Sequence, residues 1–211
     1  MQRTRLPGSI FGLCAASALL VACGGGDAGG AGGQQPPTDQ QQTEQQTSEA
    51  PAPVKETSGT FQTYQPTVTA ITYDPDQVPI GSRIKVNSQS TDGKSKVTID
   101  VQGLQPDRDY GAHVHVNKCG QDSKESGPHY QEKPDPVKPS VDPAFANPQN
   151  EVWLDFHTDG EGNGHATAEG NWSLATRDDA QSVVIHAQPT SSEPGQAGDA
   201  GDRLACITAD F

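Results

Sequence analysis

Residues 110–116 read YGAHVHV, and this stretch decides the fold. From Ala112 onward, apolar and polar residues alternate, which is the pattern of a β-strand with one apolar face. Similar short runs lie on both sides of it, separated by turns rich in Gly, Pro, Asp and Asn. They predict seven further strands, at residues 68–73, 80–86, 97–101, 151–158, 165–174, 183–187 and 204–211.

Eight short strands predict an all-β domain, an eight-stranded Greek-key barrel or sandwich of immunoglobulin-like architecture with long functional loops. The 23 glycines and 17 prolines of the 211-residue chain disfavour a helix bundle. Acidic residues number 27 against 14 basic ones, so the net charge is −13. This balance argues against nucleic acid as a partner, because phosphate binding needs a basic face.

The N-terminus has the features of an export signal. Arg3 and Arg5 precede a mostly apolar run at residues 10–22, which is too short to span a bilayer as a mature helix. The run ends in LVAC at residues 20–23, which resembles the bacterial lipobox, in which the cysteine is acylated and becomes the new N-terminus. We therefore expect residues 1–22 to be a lipoprotein signal peptide and Cys23 to be lipidated. An ordinary secretory signal with an incidental cysteine is the alternative.

The segment that follows is rich in Gly, Gln, Pro, Thr and Ser and almost lacks apolar side chains larger than Ala. Such a segment buries too little area to offset its ordering entropy. We expect residues 23–60 to be a disordered tether and residues 61–211 to be the folded domain. The protein is then exported and lipid-anchored to the outer face of the bacterial cell membrane, which it contacts through the lipid only.

The cysteines predict one disulfide. Cys14 is removed with the signal peptide, and Cys23 carries the lipid. Cys119 and Cys206 remain, and an even number of cysteines in an oxidising compartment predicts that these two are paired.

The histidines are candidates for a metal site. His113 and His115 are two residues apart on a predicted strand, so their side chains project from one face, about 7 Å apart at their roots. Half-exposed strand histidines that bind nothing have the same pattern, so this pair alone identifies no site. His186 ends an apolar strand. His129 lies in the stretch 119–150, which contains no predicted strand, and loops of this length usually have a function. The remaining histidines, at positions 157 and 165, are expected to be solvated.

Four motifs, in their order and spacing, resemble the copper/zinc superoxide dismutase family over residues 66–211. They are HVH at 113–115, GPHY at 127–130, VVIH at 183–186 and AGDRLAC at 200–206. The resemblance implies that copper is bound by four histidines: His113, His115, His129 and His186. Four imidazoles suit a copper that cycles between Cu(II) and Cu(I).

The resemblance also implies two catalytic residues. Arg203 matches the arginine that holds the superoxide anion, for which a guanidinium offers a fixed charge and a fork of donors. A surface ion pair with Asp199 or Asp202 is the alternative role for Arg203. His129 matches the ligand that releases copper and carries a proton in the reduced state. The pair Cys119 and Cys206 matches the family's disulfide.

The zinc site of the family is incomplete in this sequence. No histidine lies between residues 130 and 156, and Val152 stands where a family histidine belongs. Asp155 matches the zinc aspartate, so it is expected either to bind zinc together with His129 and His157 or to accept a hydrogen bond from a copper-ligand histidine. The second role is also open to Glu151. Because a closed zinc site takes four ligands, we expect a copper-only variant.

The expected function is that of an extracytoplasmic superoxide dismutase, which converts superoxide to oxygen and hydrogen peroxide. The alternative is an extracytoplasmic copper-binding or storage lipoprotein on the same fold. Arg203 favours the enzyme, because storage has no use for an anion-orienting arginine. The stretch between His186 and Arg203 contains no lysine, which speaks against electrostatic steering of the substrate there. The oligomeric state stays open, because the sequence shows no exposed apolar strand that would favour a dimer over a monomer.

The lipid anchor predicts a change in partitioning. Cys23→Ser should move the protein from the membrane fraction to the soluble fraction of cell lysates, because the acylated residue is lost. Cys14→Ser is the matched control and should leave the protein in the membrane fraction. Unchanged membrane partitioning of Cys23→Ser would remove the lipobox interpretation.

Overall fold

Nine antiparallel strands form two sheets in the structure, a computed structural model that describes residues 53–211. The strands are β1 (Lys55–Thr60), β2 (Ala70–Thr72), β3 (Arg83–Thr91), β4 (Lys94–Gln102), β5 (Asp109–His115), β6 (Phe156–His157), β7 (Gly164–Gly170), β8 (Ser182–His186) and β9 (Arg203–Thr208). Two short 3-10 helices, Ser123–Ser126 and Leu174–Thr176, lie in the connections. One sheet has the strand order β1-β3-β4-β7, and the other has the order β2-β9-β8-β5-β6. The predicted all-β Greek-key sandwich is confirmed.

The core lies between the two sheets and is made by the inward residues of alternating strands. On β4, Val97, Ile99 and Val101 are buried, while the residues between them are partly exposed. The hairpin that joins β3 to β4 turns at Asp92 and Gly93, which both have positive φ, 50° and 73°. This geometry matches the right-handed twist of paired strands.

The strand β5 is buried on both faces, which the alternating pattern did not predict. Ala112 and Val114 point into the core, while His113 and His115 on the other face are also fully buried. The covering comes from two loops, the β5–β6 loop (residues 116–155) and the β8–β9 loop (residues 187–202). Gly111 permits the second to approach closely, since a Cβ there would lie 2.5 Å from the carbonyl oxygen of Gln188.

The predicted boundary of the tether is wrong. Residues 55–60 form β1, which pairs with β3 along its whole length, from Lys55 opposite Ser88 to Thr60 opposite Arg83. This strand is polar and largely exposed, so it carries no apolar signal, and its backbone hydrogen bonds to β3 hold it in place. Glycine at position 59 leaves room for β2, since a Cβ there would lie 2.6 Å from the Cβ of Ala70. Residues 53–211 thus contain nine strands rather than the predicted eight.

The predicted strand at 151–158 is regular only at its end, as β6. Residues 152–154 still run beside β5, because Val114 N donates to Val152 O (3.3 Å) and Leu154 N donates to Ala112 O (2.7 Å). The stretch 119–150 contains no regular strand, as predicted.

The predicted disulfide between Cys119 and Cys206 is present. It joins the start of the β5–β6 loop to the middle of β9 and closes a separation of 87 residues. In the chain-entropy model a closure of this length contributes about 4–5 kcal/mol to the free energy of unfolding. Cys119 N also donates to Thr208 Oγ1 (3.0 Å), so this end of the loop is anchored to β9 twice.

The predicted signal peptide, the lipidated Cys23 and the tether up to residue 52 lie outside the described residues. Among residues 53–211, no helix has the length and hydropathy needed to cross a membrane.

Candidate metal centre

Two strands and one loop bring four histidines together. His113 and His115 project from the outer face of β5, and His186 is the last residue of the neighbouring strand β8. His129 comes from the β5–β6 loop, which folds back so that His129 forms an isolated bridge with His115. Each of the four offers one ring nitrogen, and these four nitrogens all lie within 4.8 Å of one another. The four predicted ligands are therefore assembled.

Three of the rings are oriented through Nδ1, which leaves Nε2 directed inward. Nδ1 of His115 lies 2.9 Å from Gly127 O, and that of His186 lies 3.3 Å from Gly201 O. Nδ1 of His129 lies 2.8 Å from Glu151 Oε2. Carbonyl and carboxylate oxygens accept, so each Nδ1 carries the hydrogen and each Nε2 presents a lone pair. The Nε2 atoms of His115 and His186 are only 3.4 Å apart.

The ring of His113 is turned the other way. Its Nε2 lies 2.7 Å from Thr190 Oγ1, and that hydroxyl donates to Asp155 Oδ1 at 2.6 Å. Since the hydroxyl hydrogen is committed to Asp155, Thr190 accepts from His113 Nε2, and Nδ1 of His113 carries the lone pair. That Nδ1 is buried and has no hydrogen-bond partner. A buried polar atom without a partner is costly, and a bound cation would remove the cost.

The donor set fits copper. Neutral imidazole nitrogens suit copper in either oxidation state, and each ring is held by a second hydrogen bond of the kind that orients metal-ligating histidines. Desolvation lowers the pKa of His113 and His115 well below the ordinary value, and the neighbouring histidines lower it further. Desolvation and the charge of His129 lower the pKa of His186 to about 3. These three rings are therefore neutral and ready to bind a metal at physiological pH.

Asp155 takes neither expected role directly, because its donors are backbone and hydroxyl groups and it reaches a ligand histidine only through Thr190. Its Oδ1 accepts from Ala112 N (3.2 Å) and Thr190 Oγ1, and its Oδ2 accepts from Thr190 N (2.7 Å). The carboxylate thus fixes the β8–β9 loop and, through Thr190, the ring of His113. Thr190 has no signal in the sequence, because it lies in an irregular loop far from the histidine motifs.

The other two histidines lie apart from this cluster, as predicted. His157 pairs with Asp109 and His165 with Asp100, each at 2.8 Å across neighbouring strands, and all four side chains are exposed. Within residues 53–211, the four-histidine cluster is the one group of three or more His, Cys, Asp or Glu residues placed to hold a metal. The expected alternative of zinc bound by His129, Asp155 and His157 is therefore not assembled in the described part of the chain.

A cavity of about 610 Å³ opens beside the cluster. We call it the site cavity, and its wall includes His129, Lys138, Glu151, His186, Asp199 and Arg203. Arg203 is held there by two hydrogen bonds from its Nη1, to Ser123 O (3.0 Å) and Ser126 Oγ (2.9 Å). None of the ion pairs found within residues 53–211 involves Arg203, so the alternative of a salt bridge with Asp199 or Asp202 is wrong.

Lys138 is a cavity residue that the sequence did not indicate. The sequence analysis searched for positive charge between His186 and Arg203, but the lysine is supplied by the β5–β6 loop. The cavity wall thus contains two cationic side chains, Lys138 and Arg203, beside the carboxylates of Glu151 and Asp199. The two cations are the groups that can attract an anion.

The fold and the cluster define a class: a β-sandwich metalloprotein with a tetra-histidine centre and a cavity beside it that holds a fixed arginine. Comparison with known families places residues 81–208 in the family described as copper/zinc superoxide dismutase (SODC). This match covers more than half of the chain, and the protein belongs to the copper/zinc superoxide dismutase family.

Comparison with solved structures finds matches, two of which are as follows. The Cu/Zn superoxide dismutase from Brucella abortus is 18% identical with a TM-score of 0.51, and the match covers 74% of this chain and 100% of that one. A double mutant of a SOD-like protein from Bacillus subtilis is 16% identical with a TM-score of 0.46, covering 59% and 87%. At these identities the first similarity supports the fold alone. Comparison with curated protein sequences finds no match.

The buried histidines predict acid sensitivity of the metal-free protein. In the unfolded chain, histidine takes up a proton near pH 6.5, whereas the pKa of His186 in the folded chain is about 3. Between these values the unfolded state binds more protons, so stability is full above about pH 6.5 and falls as the pH is lowered toward 3. Urea unfolding of the chelated protein from about pH 8 to about pH 5 measures the slope. His186→Gln should reduce it, and a slope equal to that of the unaltered protein would contradict the assignment.

Proposed function

We propose that this protein is a copper-dependent superoxide dismutase that acts outside the cytoplasm and needs no zinc. The observation that carries the proposal is the position of Arg203, which lines the same cavity as His129 and His186 of the tetra-histidine centre. A copper carrier needs the four histidines, but it has no need of a fixed cation at the mouth of the site.

The four histidines would hold copper through Nδ1 of His113 and Nε2 of the other three. Copper supplies one-electron chemistry when bound: one superoxide is oxidised to oxygen, and a second is reduced and takes up two protons to become hydrogen peroxide. The protein contributes the geometry of the ligands, the binding of the anion and the delivery of a proton.

Arg203 binds and orients the anion. Its Nη1 is held by the carbonyl oxygen of Ser123 and the hydroxyl of Ser126, so the guanidinium is fixed before the substrate arrives. Nε and Nη2 take no part in these two contacts and are the donors that would meet a small anion. Lys138, on the same cavity wall, adds a second positive charge that attracts superoxide.

His129 is the ligand suited to proton transfer. Its side chain is 16% exposed, whereas the other three histidines are at most 4% exposed, so water in the cavity reaches His129 first. Its Nδ1 is held by Glu151, so the proton is taken up and released at Nε2.

Glu151 occupies the position beside His129 Nδ1 where a second metal would otherwise bind. Its Oε2 accepts from His129 Nδ1 (2.8 Å) and from Trp153 Nε1 (2.7 Å), and the side chain is 1% exposed. A carboxylate at this nitrogen orients the ring and keeps Nε2 available for copper, which are tasks that zinc performs for the bridging histidine of the family. The copper-only proposal rests on this contact.

The location outside the cytoplasm is supported by the disulfide between Cys119 and Cys206, because such bonds persist in oxidising compartments. The lipid anchor at Cys23 belongs to the same proposal and is tested by the Cys23→Ser variant above.

Removing the guanidinium separates the enzyme from a copper carrier. Arg203→Met keeps the side-chain length without charge or donors, and it should bind stoichiometric copper while dismutation of superoxide falls by a factor of about 10². Arg83→Met, at an exposed position of β3, is the matched control and should keep both properties. Metal content by elemental analysis and superoxide decay by stopped flow are the two measurements.

Two outcomes would oppose the proposal. A copper-loaded protein without dismutase activity would favour the storage alternative. Full activity in Arg203→Met would remove the arginine from the mechanism.

A further inference from the structure

The side chain of Gln131 is buried beside the metal centre, and every hydrogen-bonding group of its amide is used. The residue is 4% exposed. Its Oε1 accepts from Asp135 N at 2.9 Å, and its Nε2 donates to Glu151 Oε1 at 2.7 Å and to Ser140 Oγ at 2.9 Å.

The orientation of this amide is fixed by its neighbours. The backbone nitrogen of Asp135 is a donor, so the atom facing it must be the amide oxygen. The two amide hydrogens then point at Glu151 and Ser140. The hydroxyl of Ser140 donates a hydrogen bond to Asp135 Oδ2 at 2.8 Å. This bond closes a ring of hydrogen bonds through Gln131, Ser140 and Asp135. We call these three residues the glutamine ring.

Glu151 connects the glutamine ring to the metal centre. One carboxylate oxygen accepts from Gln131, and the other accepts from His129 and Trp153. The path from ring to ligand is therefore continuous: Ser140 to Gln131, Gln131 to Glu151, and Glu151 to His129 Nδ1. Each link is 2.9 Å or shorter.

The backbone next to His129 is held independently of the glutamine ring. Arg177 Nη1 donates to the carbonyl oxygens of Gln131 (3.1 Å) and Glu132 (3.0 Å), and its guanidinium lies 4.9 Å from the ring centre of Tyr130. Tyr130 N donates to Val114 O at 2.8 Å. These contacts hold the main chain in place without the side-chain amide of Gln131. The amide therefore acts on the carboxylate of Glu151 and is not needed to hold the main chain.

We propose that Gln131 is a positioning residue that couples the fold of the β5–β6 loop to the orientation of His129, by holding Glu151 between the glutamine ring and the ligand. In this role, a network of hydrogen bonds within one loop does the work of a structural metal. The inference rests on the proposed function in taking His129 as a copper ligand, and it adds the residue that orients that ligand's carboxylate partner.

The test replaces the amide with an apolar group of similar size. In Gln131→Leu, the carboxylate of Glu151 loses one of its three donors and His129 loses its fixed orientation. Stoichiometric copper should still bind through the other histidines, but its affinity in a chelator competition should fall about 10-fold or more. The electron paramagnetic resonance spectrum of the Cu(II)-loaded protein should change. Gln149→Leu is the matched control, because Gln149 lies in the same loop and is exposed.

A double-mutant cycle separates coupling from general loosening of the loop. In a Glu151→Gln background, Gln131→Leu should change the Cu(II) spectrum little further, because the path to His129 runs through Glu151. Ser140→Ala removes one member of the glutamine ring but keeps the contact between Gln131 and Glu151, so it should lower the affinity less than Gln131→Leu. This milder variant also serves as the test if Gln131→Leu does not fold.

Two results would overturn the proposal. The first is a Cu(II) spectrum and an affinity in Gln131→Leu equal to those of the unaltered protein, including the case where only thermal stability falls. The second is an additive effect of Gln131→Leu in the Glu151→Gln background. Absence of dismutase activity in the unaltered copper-loaded protein would refute the proposed function, while the spectra and affinities would still decide the role of Gln131.

Discussion

The structure depends on one constraint: four imidazole rings direct their lone pairs into the same small volume, an arrangement that a bound cation stabilises. In this protein the outer nitrogen of each ring is committed to an acceptor, so four lone pairs face the same small volume. The Nε2 atoms of His115 and His186 lie 3.4 Å apart, and Nδ1 of His113 is buried without a hydrogen-bond partner. Burial lowers the pKa of His113, His115 and His186, so these three rings stay neutral near neutral pH. The surrounding architecture follows from this constraint.

The two loops that cover β5 meet the constraint in different ways. The β8–β9 loop holds His113 through Thr190 and Asp155, and it contributes Gly201, whose carbonyl oxygen accepts from His186. The β5–β6 loop contributes His129 itself and the carboxylate that holds it. The disulfide fixes one end of that loop to β9, and the glutamine ring fastens its interior. In this way a loop without regular strands acquires enough fixed hydrogen bonds to place a ligand.

The sequence predicted the parts of the molecule that repeat or that match a known motif. Alternation located most strands, and the order of four motifs located His113, His115, His129, His186 and Arg203. The edge strand β1 was not predicted, because backbone hydrogen bonds hold it and these bonds do not depend on residue type. The sequence also did not indicate the site roles of three loop residues, Thr190, Lys138 and Gln131. Each is brought to the site by an irregular loop, and no periodic pattern in the sequence describes the course of such a loop. Glu151 and Asp155 were named as acceptors for a ligand histidine. Glu151 takes that role with His129, whereas Asp155 acts on His113 only through Thr190.

The central claim is that a carboxylate and its hydrogen-bond network replace zinc beside the copper ligand His129. Its most direct test is reconstitution of the chelated protein with copper, with zinc, or with both, followed by elemental analysis and a superoxide assay. The account predicts that copper alone binds stoichiometrically and restores full activity, and that added zinc changes neither. Stoichiometric zinc retained at a site distinct from the copper, and required for full activity, would contradict it.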